Sequence, residues 1–489
     1  MKAHSIPSFA RATRRLLASA ARRRLAGAAA FLVAGAVAGC TVGPDYKRPV
    51  VTIPDTYRGA TAPESAVADA GSIGDQAWWD VFQDDQLGEL IRTALGQNLD
   101  LRIAATRILE AQAQLGITRA DQFPTVDANA STSRARVAKS VVPLPLNPYQ
   151  RTDFQLTATA AWEVDFWGKY RRATEAARAS LLASEWGRQA VAASLVSQVA
   201  SAYFELRAFD RQLDVATRTL ESRRESLRLT EVTASGGATS LVDVRQAEQL
   251  VFNAAATISD LERQISQQEN YISVLLGRNP SDVPRGAALE AQAHLPEVPV
   301  GLPSALIERR PDIRQAEEVL IAANANIGVA KAAYFPQISL TGTGGIESAA
   351  LSALFTTPAG LWSVGAGLTQ PVFNAGRIRS RVALSKAQQE EAVLAYQRTI
   401  QLSLREVSDA LVGYRKGRDF REQEQQLNGA AADARRLADI RYRGGATSYL
   451  EVLDSDTRMF SAELGVTQAE LNELLSLVQI YRALGGGWQ

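Results

Sequence analysis

The sequence predicts an α+β membrane protein in which long coiled-coil α-helices are combined with membrane-spanning β-strands. Three observations lead to this fold class. Long stretches carry apolar residues at a seven-residue period, which is typical of coiled coils. Shorter stretches alternate apolar and polar residues over a length that can cross a membrane. The second half of the chain also repeats the first, so that both kinds of element occur in each half.

An internal two-fold repeat organises the chain. Segment 99–124 matches segment 311–336 without a gap. The pentapeptide GGATS occurs at 236–240 and again at 444–448. We therefore predict these boundaries: a signal peptide at 1–39, a lipidated extended linker at 40–75, repeat 1 at 76–279, an inter-repeat linker at 280–302, repeat 2 at 303–484 and a tail at 485–489.

The helices are predicted from apolar stripes whose period of seven implies left-handed coiled-coil packing. Segment 170–233 contains no proline and one internal glycine, Gly187. A helix of this length extends about 90 Å. The ASGGATS segment is predicted to join it to a second helix, because glycines end a helix and Thr239 or Ser240 can cap the next. The stripes are Leu101, Ala104, Ile108, Ala111 and Leu115, repeated as Ile313, Ala316, Leu320, Ala323 and Ile327; Leu195, Val199, Ala202, Leu206, Phe209, Leu213, Ala216, Leu220 and Leu227; Val244, Ala247, Val251, Ala254, Ile258, Leu261 and Ile265; and Leu450, Leu453, Phe460, Leu464, Leu471, Leu474 and Val478.

Four β-strands are predicted, two in each repeat. In 153–167 alternate residues are apolar and those between them are mostly polar. This alternation covers about 13 residues, and a tilted transmembrane strand needs ~9 to 11. Segment 361–373 shows the same pattern, and weaker partner strands begin after Phe-Pro pairs, at 125–136 and 337–345. A soluble antiparallel sheet is the alternative interpretation of this periodicity.

Four strands cannot close a barrel, and open strand edges are not tolerated in lipid. Two chains would supply eight strands, and the interior of a barrel of ~8 strands is filled by its own side chains. A conduit therefore requires at least three chains. Aromatic residues at the strand ends and a predicted lipid anchor favour an outer-membrane barrel over a soluble sheet.

That anchor is predicted at Cys40, the only cysteine of the chain. Segment 1–39 carries seven basic side chains, no acidic side chain and an apolar run too short to span a membrane comfortably. Val37-Ala38-Gly39-Cys40 resembles the lipobox at which bacterial lipoprotein precursors are cleaved and lipidated, and Thr41 after it indicates delivery to the outer membrane. Acyl chains there would bind the membrane with about 0.8 kcal/mol per buried methylene. The alternative is a small buried apolar side chain.

Charge and composition argue against several classes of function. Without the seven basic residues of the leader, 46 basic and 52 acidic residues remain, and this net charge of −6 does not indicate a nucleic-acid partner. A single cysteine excludes an internal disulfide and thiolate metal clusters. His294 is the only histidine beyond the leader, and no G-x-S-x-G or G-x-x-x-x-G-K-[ST] motif is present. We expect no enzyme activity, no cofactor and no metal site.

Five segments together resemble the lipoprotein branch of the TolC-type outer membrane factors, the exit ducts of tripartite efflux pumps. The resemblance spans nearly the whole chain after Cys40, and LPSALIERRPDI is its most specific part. The five segments are GCTVGPDYKRP (39–49), WWDVFQDDQLGELIRTALGQNLDL (78–101), GLPSALIERRPDIRQAE (301–317), FPQISL (335–340) and YRALGGGW (481–488).

The resemblance implies a homotrimer in which four strands per chain form a twelve-stranded outer-membrane barrel, continued into the periplasm by a long α-helical barrel. It implies a passive exit duct for drugs or other small molecules that works without a cofactor. A periplasmic adaptor (membrane fusion) protein, bound to an inner-membrane transporter of the resistance-nodulation-division class, is expected to open its periplasmic tip. The alternatives are a non-conducting coiled-coil scaffold lipoprotein tethered to the outer membrane and a type I secretion duct.

The resemblance also implies a gate near the second helical hairpin. In resting channels of this family a tyrosine and acidic residues form hydrogen bonds and ion pairs that hold the tip closed. Matching YRGGATSYLEVLD to that motif places Tyr442, Glu451 and Asp454 at gate-like positions, with Asp243 as the counterpart of Glu451 in repeat 1. A solvated helix face is the alternative explanation of these acidic residues. Thr447 stands where some relatives carry a gate arginine, so the candidate partners of the acids are Arg441, Arg443 and Arg458.

The glycines of the two GGATS segments are the expected docking surface for the adaptor. They are Gly236 and Gly237 in the first hairpin and Gly444 and Gly445 in the second. Plain turn geometry is a second reason for glycine at these positions, and it is compatible with docking.

Overall fold

The structure is a computed structural model that describes residues 41–58, 73, 81–136, 138, 150–292, 298 and 303–487. The predicted leader, the predicted lipidation site Cys40 and His294 lie outside the described residues. Within the described ranges, no helix combines the length and apolar character that a membrane span requires.

Eight α-helices contain most of the described residues. The two longest, α3 and α7, have 67 residues each and therefore extend about 100 Å. Each is followed, after a tight turn, by a helix of 35 residues, α4 or α8. The helices are α1 (Asp85–Gln97), α2 (Leu99–Ala120), α3 (Lys169–Ser235), α4 (Leu241–Leu275), α5 (Pro303–Arg309), α6 (Pro311–Ala332), α7 (Arg377–Arg443) and α8 (Tyr449–Ala483).

The internal repeat is confirmed by the bounds of these elements. Helices α7 and α8 have the same lengths as α3 and α4, and α2 and α6 have 22 residues each. The first strands of the two repeats, β1 (Thr125–Arg136) and β3 (Gln337–Ser348), have 12 residues each. The segment between the first strand and the long helix is shorter in repeat 2 than in repeat 1, so the two copies differ in the region of their second strands.

Four antiparallel strands form one sheet in the order β1-β2-β3-β4, where β2 is Gln150–Glu163 and β4 is Gly360–Thr369. The register places apolar residues opposite one another on one face of all four strands, and the other face is mostly polar. The apolar face consists of Val126, Ala128, Ala130, Leu156, Ala158, Ala160, Trp162, Ile338, Leu340, Gly342, Gly344, Ile346, Trp362, Val364, Ala366 and Leu368.

Three of the four strands differ from their predicted bounds. Strand β2 begins three residues early, at Gln150, and β4 begins one residue early, at Gly360. Strand β2 was expected at 153–167 but ends at Glu163, because the Asp165 carboxylate accepts the backbone N–H groups of Tyr170 and Arg171 at 3.2 and 2.9 Å and so begins helix α3. Strand β4 was expected at 361–373 but ends at Thr369, before Pro371, which has no N–H to donate. Strand β3 was expected to end at residue 345 and continues to Ser348.

A glycine explains the extra length of β3. A Cβ atom on Gly345 would overlap the carbonyl oxygen of Leu156 on β2. Glycine permits this close approach of two backbones, and the strand therefore passes through Gly344 and Gly345 without a break.

The chain divides into two compact units. The first contains the sheet, the described residues up to Arg48, and the segments Ala111–Leu181 and Val319–Val393. Its buried helix contact consists of four alanines, Ala176 and Ala179 on α3 and Ala322 and Ala325 on α6. Small side chains at these positions let the two helices approach closely.

An N-terminal strap, residues 41–45, is bound within the first unit. The Val42 N–H donates to the Trp167 carbonyl at 3.1 Å, and Arg172 pairs with Asp45 at 2.7 Å. A Cβ atom on Gly43 would lie 2.6 Å from the Cα atom of Gly328 on α6. The strap thus follows Cys40 directly and lies against the end of strand β2 and against α6.

The second unit contains Pro49–Glu110, Leu182–Glu318 and Leu394–Gln489. Its core packs Phe82 edge-on against Phe204 and Tyr481, with ring centroids 5.9 and 5.8 Å apart. Most residues of the predicted stripes of α3 and α4 are buried there, including Val199, Leu206, Ala216, Ala247 and Ala254, and the others are half-buried.

The stripe of α8 contains one error. Leu450, a residue of the predicted stripe, is 57% exposed, whereas the neighbouring Tyr449 and Leu453 are buried. Leu450 lies in the first turn of α8, where the core cluster is filled by Tyr449, Val452 and Leu453 instead.

Candidate functional site

The first hairpin, between α3 and α4, is closed by a glycine turn and a helix cap. Gly237 has a φ of +78°, a conformation that favours glycine, and the Ala238 N–H donates to the Thr233 carbonyl at 2.9 Å. Ser240 and Asp243 form a capping box, in which the Asp243 N–H donates to Ser240 Oγ and the Ser240 N–H donates to the Asp243 carboxylate. The hydrogen bonds of the Asp243 carboxylate are therefore made to Ser240, at the start of its own helix, α4.

The second hairpin, between α7 and α8, has the same turn but different polar contacts. Gly445 has a φ of +70°, and the Ala446 N–H donates to the Arg441 carbonyl at 2.8 Å. Ser448 makes no side-chain cap. Instead, Arg441 Nη1 donates to Glu451 Oε1 at 2.7 Å, and the Thr447 hydroxyl donates to Glu451 Oε2. Glu451 thus ties the end of α7 to the start of α8.

Tyr442 packs on a cluster to which both hairpins contribute residues. Its ring lies against that of Tyr449, with centroids 5.1 Å apart, and packs on a cluster that includes Ala247 of α4. Burial raises the pKa of Tyr442, and the charges of Tyr449 and Asp243 raise it further. The charge of Asp243 thus acts on Tyr442, and both residues are among the four predicted gate residues.

Asp454 lies apart from that contact. It pairs with Arg458 one turn along α8, at 2.9 Å, and both side chains are mostly exposed. Arg443 pairs with Asp439 at 2.9 Å. Each candidate arginine thus has a carboxylate partner of its own within the chain, and Arg458 is the one beside Asp454.

Sequence reasoning missed a buried ion pair between Arg223 and Asp456. A signal was present, since the predicted stripe of α3 passes from Leu220 to Leu227 and Arg223 occupies the core position between them. A charged residue at such a position requires a buried partner.

The polar face of the sheet is a second candidate site. Arg151 on β2 pairs across the strands with Glu347 on β3, at 2.9 Å, and Asp127, Thr159, Thr343 and Ser363 lie opposite one another in register. Hydroxyl and charged groups on this face suit contact with water, whereas the opposite face suits lipid. Among the described side chains, no group of three or more His, Cys, Asp or Glu is arranged to hold a metal ion.

Comparisons with known proteins agree with this geometry. The family model for outer membrane efflux protein matches the chain twice, over residues 90–278 and 302–486. The chain is 37% identical over 458 residues to the probable efflux pump outer membrane protein TtgC of Pseudomonas putida, with 92% of this chain and 93% of that protein covered. It is 32% identical over 450 residues to the cation efflux system protein CusC of Escherichia coli, with 92% and 96% covered.

A solved structure shares the fold. The open state of the MtrE outer membrane channel of Neisseria gonorrhoeae superimposes with a TM-score of 0.83 at 31% identity, and the match covers 92% of this chain and 99% of that one. The matched proteins are named as efflux proteins and as an outer membrane channel, which favours the duct over the scaffold alternative. The two family matches, the two-faced sheet and the paired long helices show that this chain belongs to the outer membrane efflux protein family and is an outer-membrane efflux channel.

Proposed function

We propose that this channel works as a homotrimer, anchored by lipid at Cys40, with a periplasmic end that the hairpins hold closed. A periplasmic adaptor bound to an inner-membrane transporter of the resistance-nodulation-division class opens it, and drugs or other small molecules leave through it. Relatives are named for pumps of antibiotics, toluene and cations, so the transporter selects the cargo and the duct accepts it.

The observation that carries the trimer is a helix contact between the two repeats that the described part of the chain makes in one pairing and not in the equivalent one. Within one chain, α6 packs on α3 through Ala322, Ala325, Ala176 and Ala179. The equivalents of these contact residues in the other pairing lie on α2 and α7. Those on α2 are Glu110 and Ala113, those on α7 are Leu384 and Ala387, and all four are exposed.

The exposed surfaces of α2 and α7, which lack a partner helix of the kind that α6 gives α3, support a ring of chains. If α2 of one chain covers α7 of the next, the α6–α3 contact is reproduced between chains. Such a head-to-tail interface generates a closed ring when the rotation closes. The sheet requires the same arrangement, because β1 and β4 are its free edges and exposed edges are not tolerated in lipid. Three chains would then supply twelve strands.

The mass of the detergent-extracted protein tests the trimer. Light scattering that subtracts the detergent should give three chains, and planar bilayers containing the protein should show ion conductance. A monomer that folds, stays in detergent-free solution and conducts nothing would contradict the proposal.

The lipid anchor is tested separately. The strap that binds beside the end of β2 begins at Thr41, which would keep acyl chains on Cys40 close to the membrane-spanning strands. Labelled palmitate should enter the wild-type protein and be absent from Cys40→Ala. We expect Cys40→Ala to reduce sorting and assembly, while the channels that do assemble conduct like the wild type.

The gate is supported by the contacts of the second hairpin. Arg441 and Thr447 bond to Glu451, and the charge of Asp243 raises the pKa of Tyr442. Replacing Glu451 and Asp454 with alanine should raise the conductance of the closed channel, as should Tyr442→Phe with Asp243→Asn. Arg443→Ala serves as the control, because its partner Asp439 is outside the predicted gate. Unchanged conductance in the alanine variant would remove the gate role of these acids.

Adaptor docking is supported by the exposed surface around the glycines. Gly236, Gly237, Gly444 and Gly445 are all exposed. Leu241 and Val242, at the start of α4, are 67% and 63% exposed beside them. Apolar side chains in such positions favour a protein partner. Crosslinking from residue 446 in cells should capture an adaptor together with its transporter, and Val242→Glu should reduce the captured amount without changing conductance.

A further inference from the structure

A buried arginine connects all four long helices of the second unit. Arg223 of α3 donates from Nε to Asp456 Oδ2 on α8 at 2.8 Å, and from Nη1 to the Leu250 carbonyl on α4 at 3.1 Å. Arg435 of α7 donates to the other oxygen of Asp456 at 3.4 Å. The first hairpin and the second are therefore joined through one guanidinium and one carboxylate.

The Arg223–Asp456 pair is largely removed from water. The side chain of Arg223 is 3% exposed and that of Asp456 is 15% exposed. The guanidinium lies 4.9 Å from the ring centroid of Phe460, which packs with Val215 and Leu261. The pair is costly to break, because Arg223 without Asp456 is an uncompensated buried charge, and Asp456 without Arg223 keeps only the longer contact to Arg435.

The position of Arg223 indicates that this residue fixes how the helices are arranged and does not serve to stabilise the fold. It occupies a core position of a coiled-coil stripe between Leu220 and Leu227, where an apolar residue would pack without any desolvation cost. Polar residues at such positions fix register and partner choice while reducing stability. In addition, Arg223 Nη2 is buried without a hydrogen-bond partner among the described residues. The pair therefore selects one arrangement of the hairpins at some cost.

We propose that the Arg223–Asp456 pair is a latch that holds the second hairpin against the first and thereby sets how readily the periplasmic end opens. The inference rests on the proposed gate, and it adds a positioning pair to the predicted gate residues. Arg223 acts from inside the helix bundle through Asp456 on α8. Opening that moves one hairpin relative to the other must separate these two groups.

The test compares this latch with an ion pair that stays within one hairpin. Arg421 of α7 pairs with Glu473 of α8 at 2.7 Å, and these side chains are also largely buried. We expect Arg223→Met or Asp456→Leu to raise closed-channel conductance about tenfold, the change in an equilibrium that corresponds to about 1.4 kcal/mol. Arg421→Met should lower the melting temperature of the trimer and leave closed-channel conductance unchanged.

A double variant separates the latch from a merely structural role. Apolar residues that replace both members of a buried pair often preserve stability. The variant Arg223→Met/Asp456→Leu should therefore melt close to the wild-type temperature and still show raised conductance. Wild-type conductance in this folded double variant would overturn the latch.

Crosslinking supplies the reverse experiment. Cys40 is the only native cysteine, so Arg223→Cys/Asp456→Cys adds the two thiols to be bridged. A short cleavable bifunctional thiol reagent should return the raised conductance to the wild-type level, and reduction should raise it again. If bridging leaves conductance high, the latch is wrong.

If the latch variants behave like the wild type while Tyr442→Phe with Asp243→Asn still raises conductance, the gate stands without the latch. If none of these variants changes conductance, both proposals fail.

Discussion

Helices α2 and α6 derive from one repeated segment, yet they lie in opposite environments. Helix α6 buries Ile313, Leu320 and Ala325 within its own chain, whereas α2 buries only Leu101 and Ala104. Leu109 and Ile117 of α2 are 63% and 62% exposed. This difference in burial between similar sequences supports the proposed trimer, in which α2 packs on a neighbouring chain.

The two hairpins show the same divergence on a smaller scale. Both contain GGATS and both turn through a glycine at positive φ. Asp243 completes a cap within the first hairpin, whereas its counterpart Glu451 bonds to Arg441 and Thr447. The first hairpin is therefore closed by local helix-cap contacts, and the second by an ion pair between its two helices.

The largest expected contrast is between two substitutions by glutamate at equivalent positions, one in α6 and one in α2. Ile321 packs on the alanine cluster of α6 and α3, so Ile321→Glu should lower the free energy of unfolding by about 2 kcal/mol or more. Its counterpart Leu109 is exposed in the single chain, so Leu109→Glu should leave the chain folded and dissociate the trimer. Light scattering and thermal unfolding in detergent measure both effects. An intact Leu109→Glu trimer would show that α2 has no partner chain.

A smaller contrast is expected at the paired glycines Gly328 and Gly116. A Cβ atom on Gly328 would lie 2.6 Å from the Val42 carbonyl oxygen, whereas nothing lies within 4 Å of one on Gly116. Gly328→Ala should therefore lower the free energy of unfolding by about 1–3 kcal/mol, because the added methyl group is overpacked against the strap. Gly116→Ala should raise the free energy of unfolding by about 0.5–1 kcal/mol, because it removes a glycine from a helix interior. Equal melting temperatures for the two variants would contradict this account of the strap.

The smallest contrast is expected at the two hairpin serines. Ser240→Ala removes a capping box and should cost about 1 kcal/mol of stability. Ser448 makes no side-chain cap, so Ser448→Ala should be nearly neutral. Chemical denaturation of the two variants under the same conditions measures the difference. A larger loss from Ser448→Ala would reverse the assignment of roles to the two hairpins.

Periodicity predicted the long elements well and the ends of strands less well. The predicted helix at 170–233 corresponds to Lys169–Ser235, since an uninterrupted seven-residue stripe leaves little choice of structure. Strand β2 ends before its apolar alternation does, because the Asp165 carboxylate accepts backbone N–H groups at the start of α3. The alternation of apolar residues contains no information about such a helix cap. Arg223 was overlooked for a similar reason, since its partner Asp456 is distant in sequence.

The sequence by itself determined the repeat, the long helices, the two-faced strands and the family, because periodicity and local motifs are properties of neighbouring residues. Only the tertiary structure decided which arginine meets which acid, that Tyr442 packs on a cluster that includes Ala247 of α4, and that α6 is covered within the chain while α2 is not. These outcomes depend on side chains brought together from distant segments, and identical local patterns acquire different partners when the chain folds.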